Sequence, residues 1–149
     1  MLGDLTNGQI EHVLQSMIIG RLGCHADDKT YVVPITYAYN GDYVYGHTHE
    51  GMKIRMMRKN PKVCFQVDAM EDMGNWRSVI AWGRYEELIT KEERQKGMQI
   101  LMDRTLPFLT GETTIEHALK DTHGMGITAL KGVCYRIKLT NKTGRFEKR

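Results

Sequence analysis

The hydrophobic residues near the N-terminus recur at helical spacing. Ile10, Val13, Leu14 and Met17 follow one another at intervals of three, one and three residues, which keep them on one helical face. The preceding segment, which begins at Thr6, supplies residues that cap helices. The pattern predicts a first helix that ends near Met17.

Beyond Met17 the pattern changes to short apolar runs that are separated by turn residues. The runs cover residues 18–24, 31–39 and 43–48, and the turns between them contain Asp27-Asp28 and Asn40-Gly41. This pattern predicts a meander of three strands joined by hairpins. Pro34 removes a backbone donor from the second strand, which is therefore expected at a sheet edge or at a bulge.

The middle of the chain alternates between helix and strand signals. Residues 51–59 contain good helix formers and stop at Asn60-Pro61, which predicts a short helix. Strands are predicted over 63–67 and 77–88, with a loop over 69–75 and a bend at Gly83.

The last third of the chain carries weaker signals. Thr90 followed by Glu93 is typical of a helix start, and this helix is predicted to reach about Asp103. Residues 113–120 predict another short helix, followed by a loop around Gly124 and Gly126. Alternating polarity over 133–139 predicts a final strand before a polar tail.

About six strands with two or three helices, most strands joined by tight turns, favour an antiparallel closed or partly closed barrel. The 149 residues and 41% hydrophobic content suit a single domain. Neither the G-x-G-x-x-G pattern nor the P-loop pattern occurs, which disfavours dinucleotide-binding Rossmann domains and nucleoside triphosphatases.

Charge and composition narrow the function classes. A net charge of +3 is too small and too scattered for a nucleic-acid-binding protein, so no such partner is expected. The chain has no apolar run of the roughly 20 residues that a membrane span needs, and its N-terminus lacks a signal-peptide pattern. We therefore expect a cytoplasmic protein with no membrane partner. Its three cysteines lack metal-binding or disulfide spacing and are expected to be small buried residues.

The stretch from Tyr45 to Lys53 carries the strongest chemical signal. A strand end with His47 and Thr48 is followed by Gly51 and the start of a basic helix at Lys53. Helix N-termini offer free N–H groups and the positive end of the helix dipole to anions. A turn with a glycine and a lysine also arises for structural reasons, so an anion site and a structural turn both stay open. Five basic residues fall within the ten residues that begin at Lys53, and they suit either a phosphorylated ligand or a solvated helix face: Lys53, Arg55, Arg58, Lys59 and Lys62.

Other chemistries have weaker support. His47 and His49 would share a face of a continuing strand, but no third ligand is evident, so no metal site is expected. The G-x-S-x-G motif of nucleophilic hydrolases is absent. Ser78 suits either a hydrogen bond to a ligand or a solvated strand face. Trp76 and Trp82 suit either the walls of an aromatic site or apolar anchors.

Taken in order, several motifs resemble the FMN-binding split-barrel superfamily of pyridoxamine 5′-phosphate oxidase, and within it the nitroimidazole-resistance-like branch. No single motif is specific to the superfamily; the resemblance rests on the order in which the motifs follow one another along the chain. It is strong over residues 10–90, whereas residues 91–130 are not diagnostic. The matching segments are residues 20–23, 31–39, 43–48, 51–53, 60–65, 76–79 and 83–84, with 142–145 similar to the closing segment.

The resemblance implies a fold that is mainly β with flanking helices, a six-stranded antiparallel split β-barrel formed by residues 1–149. It implies that FMN, or alternatively FAD, binds between the subunits of a homodimer. The phosphate would lie near His47, Thr48 and Lys53. A strand would line the isoalloxazine ring with Val32, Val33, Pro34 and Ile35. The remaining cofactor-binding residues would be Trp76, Arg77 and Ser78.

The resemblance also limits the activity. The substrate-binding C-terminal signature of the oxidase is not recognisable in residues 130–149, so vitamin B6 oxidation is not expected. We expect a flavin-dependent reductase of small molecules such as nitroaromatics, with NAD(P)H as the reductant. His47 would be its catalytic proton donor or a structural hydrogen bonder. The alternatives are a non-catalytic flavin- or haem-binding protein, and a protein-interaction barrel that uses the basic segment 53–62.

Overall fold

The computed structural model describes residues 1–108 and 131–149, which contain eight strands, three α-helices and a short 3-10 helix, Leu106–Phe108. The strands are β1 (Leu2–Asp4), β2 (Ile19–Ala26), β3 (Lys29–Thr36), β4 (Ala38–Tyr39), β5 (Tyr43–Thr48), β6 (Lys62–Asp72), β7 (Asn75–Leu88) and β8 (Val133–Glu147). The helices are α1 (Asn7–Ser16), α2 (Met52–Lys59) and α3 (Lys91–Thr105).

All eight strands form one antiparallel sheet. Its order is β3-β2-β6-β7-β8-β5-β4, and β1 pairs with the C-terminal end of β8. The terminal strands β3 and β4 follow each other in the chain without pairing, as expected of a split barrel. The mainly β, antiparallel fold expected from the sequence is confirmed. The strand count is eight instead of six because β1 and β4, with three and two residues, are too short to show a pattern.

Both predicted hairpins form, but the second predicted strand is broken into β3 and β4, so the three runs do not make one continuous meander. β2 and β3 pair as expected, through a turn in which Asp27 and Asp28 take positive φ values. The chain then breaks at Tyr37, whose buried hydroxyl donates to the Leu14 carbonyl over 2.7 Å. As a result, β5 pairs with β4 and β8, not with β3. Pro34 lies in an edge strand, as predicted.

Two other segments are more regular than the sequence indicated. The predicted loop over 69–75 is wrong because β6 and β7 continue to a tight turn, in which the Asp72 carboxylate accepts from the Gly74 N–H over 2.7 Å. The predicted polar tail is also wrong, since β8 runs on to Glu147. The predicted bend at Gly83 is confirmed by a register shift between Trp82 and Gly83 opposite β8.

The helices begin where the sequence indicated. Thr6 caps α1 in a reciprocal capping box with Gln9, and the Thr90 hydroxyl accepts from the Glu93 N–H over 3.1 Å at the start of α3. The helix α2 ends at Asn60, as predicted. The helix predicted over 113–120 and the loop around 124–126 lie outside the described residues. None of the helices in the described ranges is long and apolar enough to cross a membrane.

The core fills the barrel and the space under α1 and α2. Its largest fully buried side chains include Phe65, whose ring meets Tyr37 edge-on at 4.9 Å between centroids. Cys24 and Cys134 are buried and Cys64 is half-buried, and all three are free thiols. Burial raises the pKa of the Cys134 thiol to about 11, which keeps it protonated and unreactive.

Candidate functional site

The end of β5 and the start of α2 form one corner of the molecule. The Lys53 ammonium donates to the Thr48 hydroxyl over 3.2 Å, and both residues are half-buried. We call His47, Thr48, Gly51 and Lys53 the β5–α2 corner. The sequence left open whether this turn is an anion site or a structural link, and the structure brings its hydroxyl and its cation together.

The N-terminus of α2 is not capped. Gly51 at the N-cap provides no side-chain hydrogen bond, and the first turn of α2 has no acidic residue. By contrast, Thr6 and Thr90 cap α1 and α3 with their hydroxyls. Because no side chain in residues 1–108 or 131–149 caps this helix start, its first N–H groups can donate to an external acceptor next to the Lys53 charge.

His47 is held from the C-terminal part of the chain. Its Nε2 lies 3.0 Å from the carbonyl oxygen of Lys131, which can only accept, so Nε2 carries the proton. Gly132 takes a φ of +75° and packs against the Thr48 carbonyl, while the Arg94 guanidinium donates to the Gly132 carbonyl over 3.0 Å. The sequence did not predict these contacts, although a glycine just before the final strand is a turn signal.

The basic cluster of residues 53–62 does not converge on one ligand. Arg58 pairs with Glu50 and with Glu87, which it reaches over 2.8 Å, and Lys59 pairs with Asp27 over 2.5 Å. The Arg58 hydrogen bond lowers the pKa of the Glu87 carboxyl despite its partial burial. Arg58 and Lys59 are therefore engaged by carboxylates, whereas Lys53 lies at the β5–α2 corner.

The predicted ring-lining strand is β3. Its residues Val32 to Ile35 pair with β2 on one side, and no strand in the described residues pairs with the other side. The unpaired side leaves backbone groups free for a ligand, except at Pro34, which has no N–H. Burial raises the pKa of the Cys24 thiol, and the nearby Lys53 charge opposes that shift. Since α2 packs against β2, which is the hydrogen-bonded partner of β3, the corner and β3 are on the same side of the barrel.

Trp76, Arg77 and Ser78 lie at the opposite end of the barrel. The corner is beside the last residues of β7, because Cys134 pairs with both His47 and Leu88. Ser78 and Leu88 are ten residues apart on β7, which at about 3.3 Å per residue is a path of about 33 Å. One chain therefore does not bring this group to the corner.

Trp76 and Ser78 each make a hydrogen bond within the barrel, whereas Arg77 points to the surface. The indole N–H of Trp76 donates to the Glu147 carboxylate over 3.2 Å, and the Ser78 hydroxyl accepts from Gln66 over 3.1 Å. Arg77 is exposed. These contacts fix Trp76 and Ser78 on the surface without joining them to the β5–α2 corner.

A second concave region lies on the outer face of strands β3, β2, β6 and β7. It is a cavity of about 700 Å³ whose floor includes Gly23, Val32, Cys64 and Trp82. The sequence analysis did not predict it, although Trp82 was a candidate wall of an aromatic site. Within residues 1–108 and 131–149, no cluster of three histidine, cysteine or acidic side chains could hold a metal ion.

Comparison with known proteins decides the family. A family model described as pyridoxamine 5′-phosphate oxidase matches residues 6–145. The chain belongs to the pyridoxamine 5′-phosphate oxidase family. Among solved members of this fold, a FAD-binding protein of Mesorhizobium loti is 30% identical over 99% of both chains, with a TM-score of 0.74.

Two further similarities concern this pyridoxamine 5′-phosphate oxidase family member, one in fold and one in sequence. A candidate 5-nitroimidazole antibiotic resistance protein of Bacteroides thetaiotaomicron is 18% identical over 98% of this chain and 87% of its own, with a TM-score of 0.72. An uncharacterized protein of Rhizobium meliloti is 39% identical over 84 residues, which are 56% of each sequence. The match thus spans little more than half the length of that curated relative.

Proposed function

We propose that this protein is a flavin-dependent oxidoreductase that binds the flavin phosphate at the β5–α2 corner. One observation carries the proposal: the uncapped N-terminus of α2 lies beside the hydrogen-bonded pair of Lys53 and Thr48. A phosphate monoester carries nearly two negative charges near neutral pH. Free N–H groups, a hydroxyl and an ammonium are the donors that such a group needs.

The flavin ring would lie along β3. The unpaired side of this edge strand offers backbone donors and acceptors to the polar edge of the ring, and the exposed side chain of Val32 offers an apolar contact. We propose FMN as the cofactor because a terminal phosphate fits the corner. The name of the 30% identical Mesorhizobium loti protein supports a flavin but makes FAD the alternative.

We further propose a homodimer with a shared cofactor site. Trp76, Arg77 and Ser78 are too far from Lys53 along β7 to reach the same flavin within one chain. A two-fold symmetric contact would bring these residues of one copy to the β5–α2 corner of the other. The shared site would also bury more of the ring than one small barrel can.

For the activity, we propose electron transfer from NAD(P)H to a small acceptor such as a nitroaromatic. A bound flavin supplies the redox chemistry, and the protein supplies binding, orientation and protons. Because Nε2 of His47 is held by the Lys131 carbonyl, Nδ1 is the ring nitrogen that would exchange a proton with a ligand.

The test is a flavin titration of the purified protein with and without the Lys53 charge. We expect Lys53→Ala to weaken FMN binding, with Lys138→Ala on exposed β8 as the matched control. Parallel titration with FAD separates the two cofactors. A wild-type protein that binds neither flavin would refute the proposal. Flavin binding without NAD(P)H-dependent reduction of a nitroaromatic would instead identify a non-catalytic flavin protein.

A further inference from the structure

An acidic side chain lies in the turn that forms the β5–α2 corner. Glu50 immediately precedes Gly51 and stands three residues before Lys53. A carboxylate at this point is able to pair with the Lys53 ammonium or to accept from the first N–H groups of α2. Either contact would occupy the donors that the proposed function assigns to the flavin phosphate. The chain therefore carries its own competitor for that phosphate.

The structure directs the Glu50 carboxylate away from these donors. It pairs with Nη1 of Arg58, while the Lys53 ammonium donates to the Thr48 hydroxyl. Arg58 lies in the last turn of α2, seven residues beyond Gly51, which is about 10 Å along the helix axis at 1.5 Å per residue. The ion pair thus draws the carboxylate toward the other end of the helix.

Arg58 is itself fixed by β7. Its Nε and Nη2 reach the two carboxylate oxygens of Glu87 over 2.8 Å and 3.1 Å, a bidentate geometry that orients the whole guanidinium. The hydroxyl of the buried Tyr85 donates to the same carboxylate over 2.7 Å. The remaining nitrogen, Nη1, is the one that holds Glu50. The guanidinium therefore connects the turn before α2 to a strand of the barrel.

The position of this ion pair matters more than its contribution to stability. The Arg58 and Glu50 side chains are 40% and 56% exposed, so their pair adds little to the free energy of unfolding. In the same turn of α2, Lys59 pairs with Asp27, which lies between β2 and β3. Of these two pairs, the Arg58 pair fixes an acidic group of the turn that forms the proposed phosphate site.

We propose that Arg58 is a positioning residue that holds the Glu50 carboxylate away from Lys53 and keeps the β5–α2 corner open to phosphate. Glu50 is then an internal competitor that regulates the affinity of this corner for phosphorylated ligands. Arg58 acts through Glu50 and does not itself contact the phosphate. The inference rests on the proposed function, because it concerns the affinity of the same site for flavin phosphate.

The first test is the affinity for FMN, measured by quenching of flavin fluorescence. Arg58→Met removes the charge and keeps the apolar part of the side chain. Lys59→Met removes one positive charge from the same helical turn and is the matched control. Arg58→Met should weaken FMN binding about twofold to fivefold beyond the control, the range of an exposed ion pair between Glu50 and Lys53. Equal losses in the two variants would overturn the proposal.

Double variants separate the position of Glu50 from the net charge of the protein. Arg58→Met combined with Glu50→Gln removes the competitor and should restore the wild-type affinity for FMN. Arg58→Met combined with Glu87→Gln has the same net charge but leaves the Glu50 carboxylate free, so it should retain the loss. Restoration by both combinations, or by neither, would contradict the role of Glu50.

Riboflavin gives a readout that a merely structural role of Arg58 would move. It carries the flavin ring without the phosphate, so Arg58→Met should leave its affinity unchanged. Equal losses for riboflavin and FMN would show that Arg58 supports the shape of the whole site, and the proposal would be wrong. Urea unfolding checks that each variant is folded.

These outcomes also separate the inference from the proposed function. A wild-type protein that binds neither FMN nor FAD refutes both, because no flavin phosphate then occupies the corner. If Lys53→Ala weakens FMN binding and Arg58→Met does not, the flavin site stands and the role of Arg58 is refuted. If Arg58→Met weakens binding and Lys53→Ala does not, the corner is not the phosphate site and both are wrong.

Discussion

The Lys53 ammonium and the Thr48 hydroxyl are 3.2 Å apart, although they belong to different elements. Thr48 is the last residue of β5, and Lys53 lies in the first turn of α2. Their hydrogen bond holds the lysine charge beside the free N–H groups of the helix. A ligand phosphate would therefore meet a preorganised group of donors, which lowers the entropic cost of binding.

This relationship predicts graded losses of flavin affinity. Lys53→Met removes the charge and should weaken FMN binding roughly tenfold to a hundredfold, the range for one charge-assisted hydrogen bond. Thr48→Val keeps the charge and should have a smaller effect. Titration of flavin fluorescence measures both, with Lys138→Met as the control. A larger loss in Thr48→Val than in Lys53→Met would contradict the assignment of the phosphate to this corner.

The proposed shared site across a homodimer predicts complementation between two defective proteins. Lys53→Ala and Arg77→Ala homodimers should each bind flavin weakly. In a mixed dimer, one site would combine both defects and the other would have neither. Reassociation of an equal mixture should therefore restore about one site in four.

Flavin bound per chain, measured before and after denaturation and refolding of the mixture, checks this outcome. Mixing without subunit exchange is the control. If refolded mixtures bind no more flavin than the separate variants, Lys53 and Arg77 do not belong to one site across the dimer.

The packing of Gly46 predicts a stability difference between two glycine substitutions. A methyl group at position 46 would overlap the ring and hydroxyl of the buried Tyr135. Gly46→Ala should therefore lower the free energy of unfolding by about 1–3 kcal/mol.

Gly8 in α1 is the matched control, because no described atom lies within 4 Å of a Cβ built there. Gly8→Ala should be neutral or stabilise by about 0.4–1 kcal/mol. Urea unfolding of both variants measures the difference. Equal unfolding midpoints would show that the barrel adapts at position 46 without cost.

Tyr39 predicts a pH dependence of stability. Its hydroxyl lies 2.7 Å from the Glu11 carboxylate and accepts from Lys142 over 2.6 Å. Burial, together with the hydrogen bond to Glu11, raises the pKa of Tyr39 to about 12. Between about pH 10 and that value the folded chain keeps a proton that the unfolded chain loses, so stability falls as pH rises.

Tyr39→Phe should therefore show a shallower loss of stability than the wild type between about pH 10 and about pH 12. Urea unfolding at several pH values measures the slope. Other buried tyrosines, including Tyr37, also have raised pKa values, so the variant should retain part of the alkaline loss. Identical slopes for variant and wild type would show that Tyr39 titrates alike in both states.

Local signals in the sequence were sufficient for most elements. Caps at Thr6 and Thr90, the stop at Asn60 and the bend at Gly83 depend on neighbouring residues, and they lie where the sequence placed them. The turn before Lys53 was also a local signal, since a strand end and a helix start are only five residues apart there.

Other features depended on contacts between distant residues. The break at Tyr37 requires the carbonyl of Leu14, and the pairing of β5 with β8 brings His47 next to Lys131. Alternating polarity gives the face of a strand but not its partner, so it could not reveal the edge at β3 or the true neighbours of β5.

The amino-acid sequence by itself determined the element types, the antiparallel β class and the family resemblance, because propensities, caps and turn chemistry act over a few residues. The tertiary structure alone decided which ends of the strands meet. It separated Trp76–Ser78 from Lys53, and it placed Arg58 between Glu50 and Glu87. The physical reason is that strand register and sheet closure are set by packing of the whole core, which no local stretch of sequence encodes.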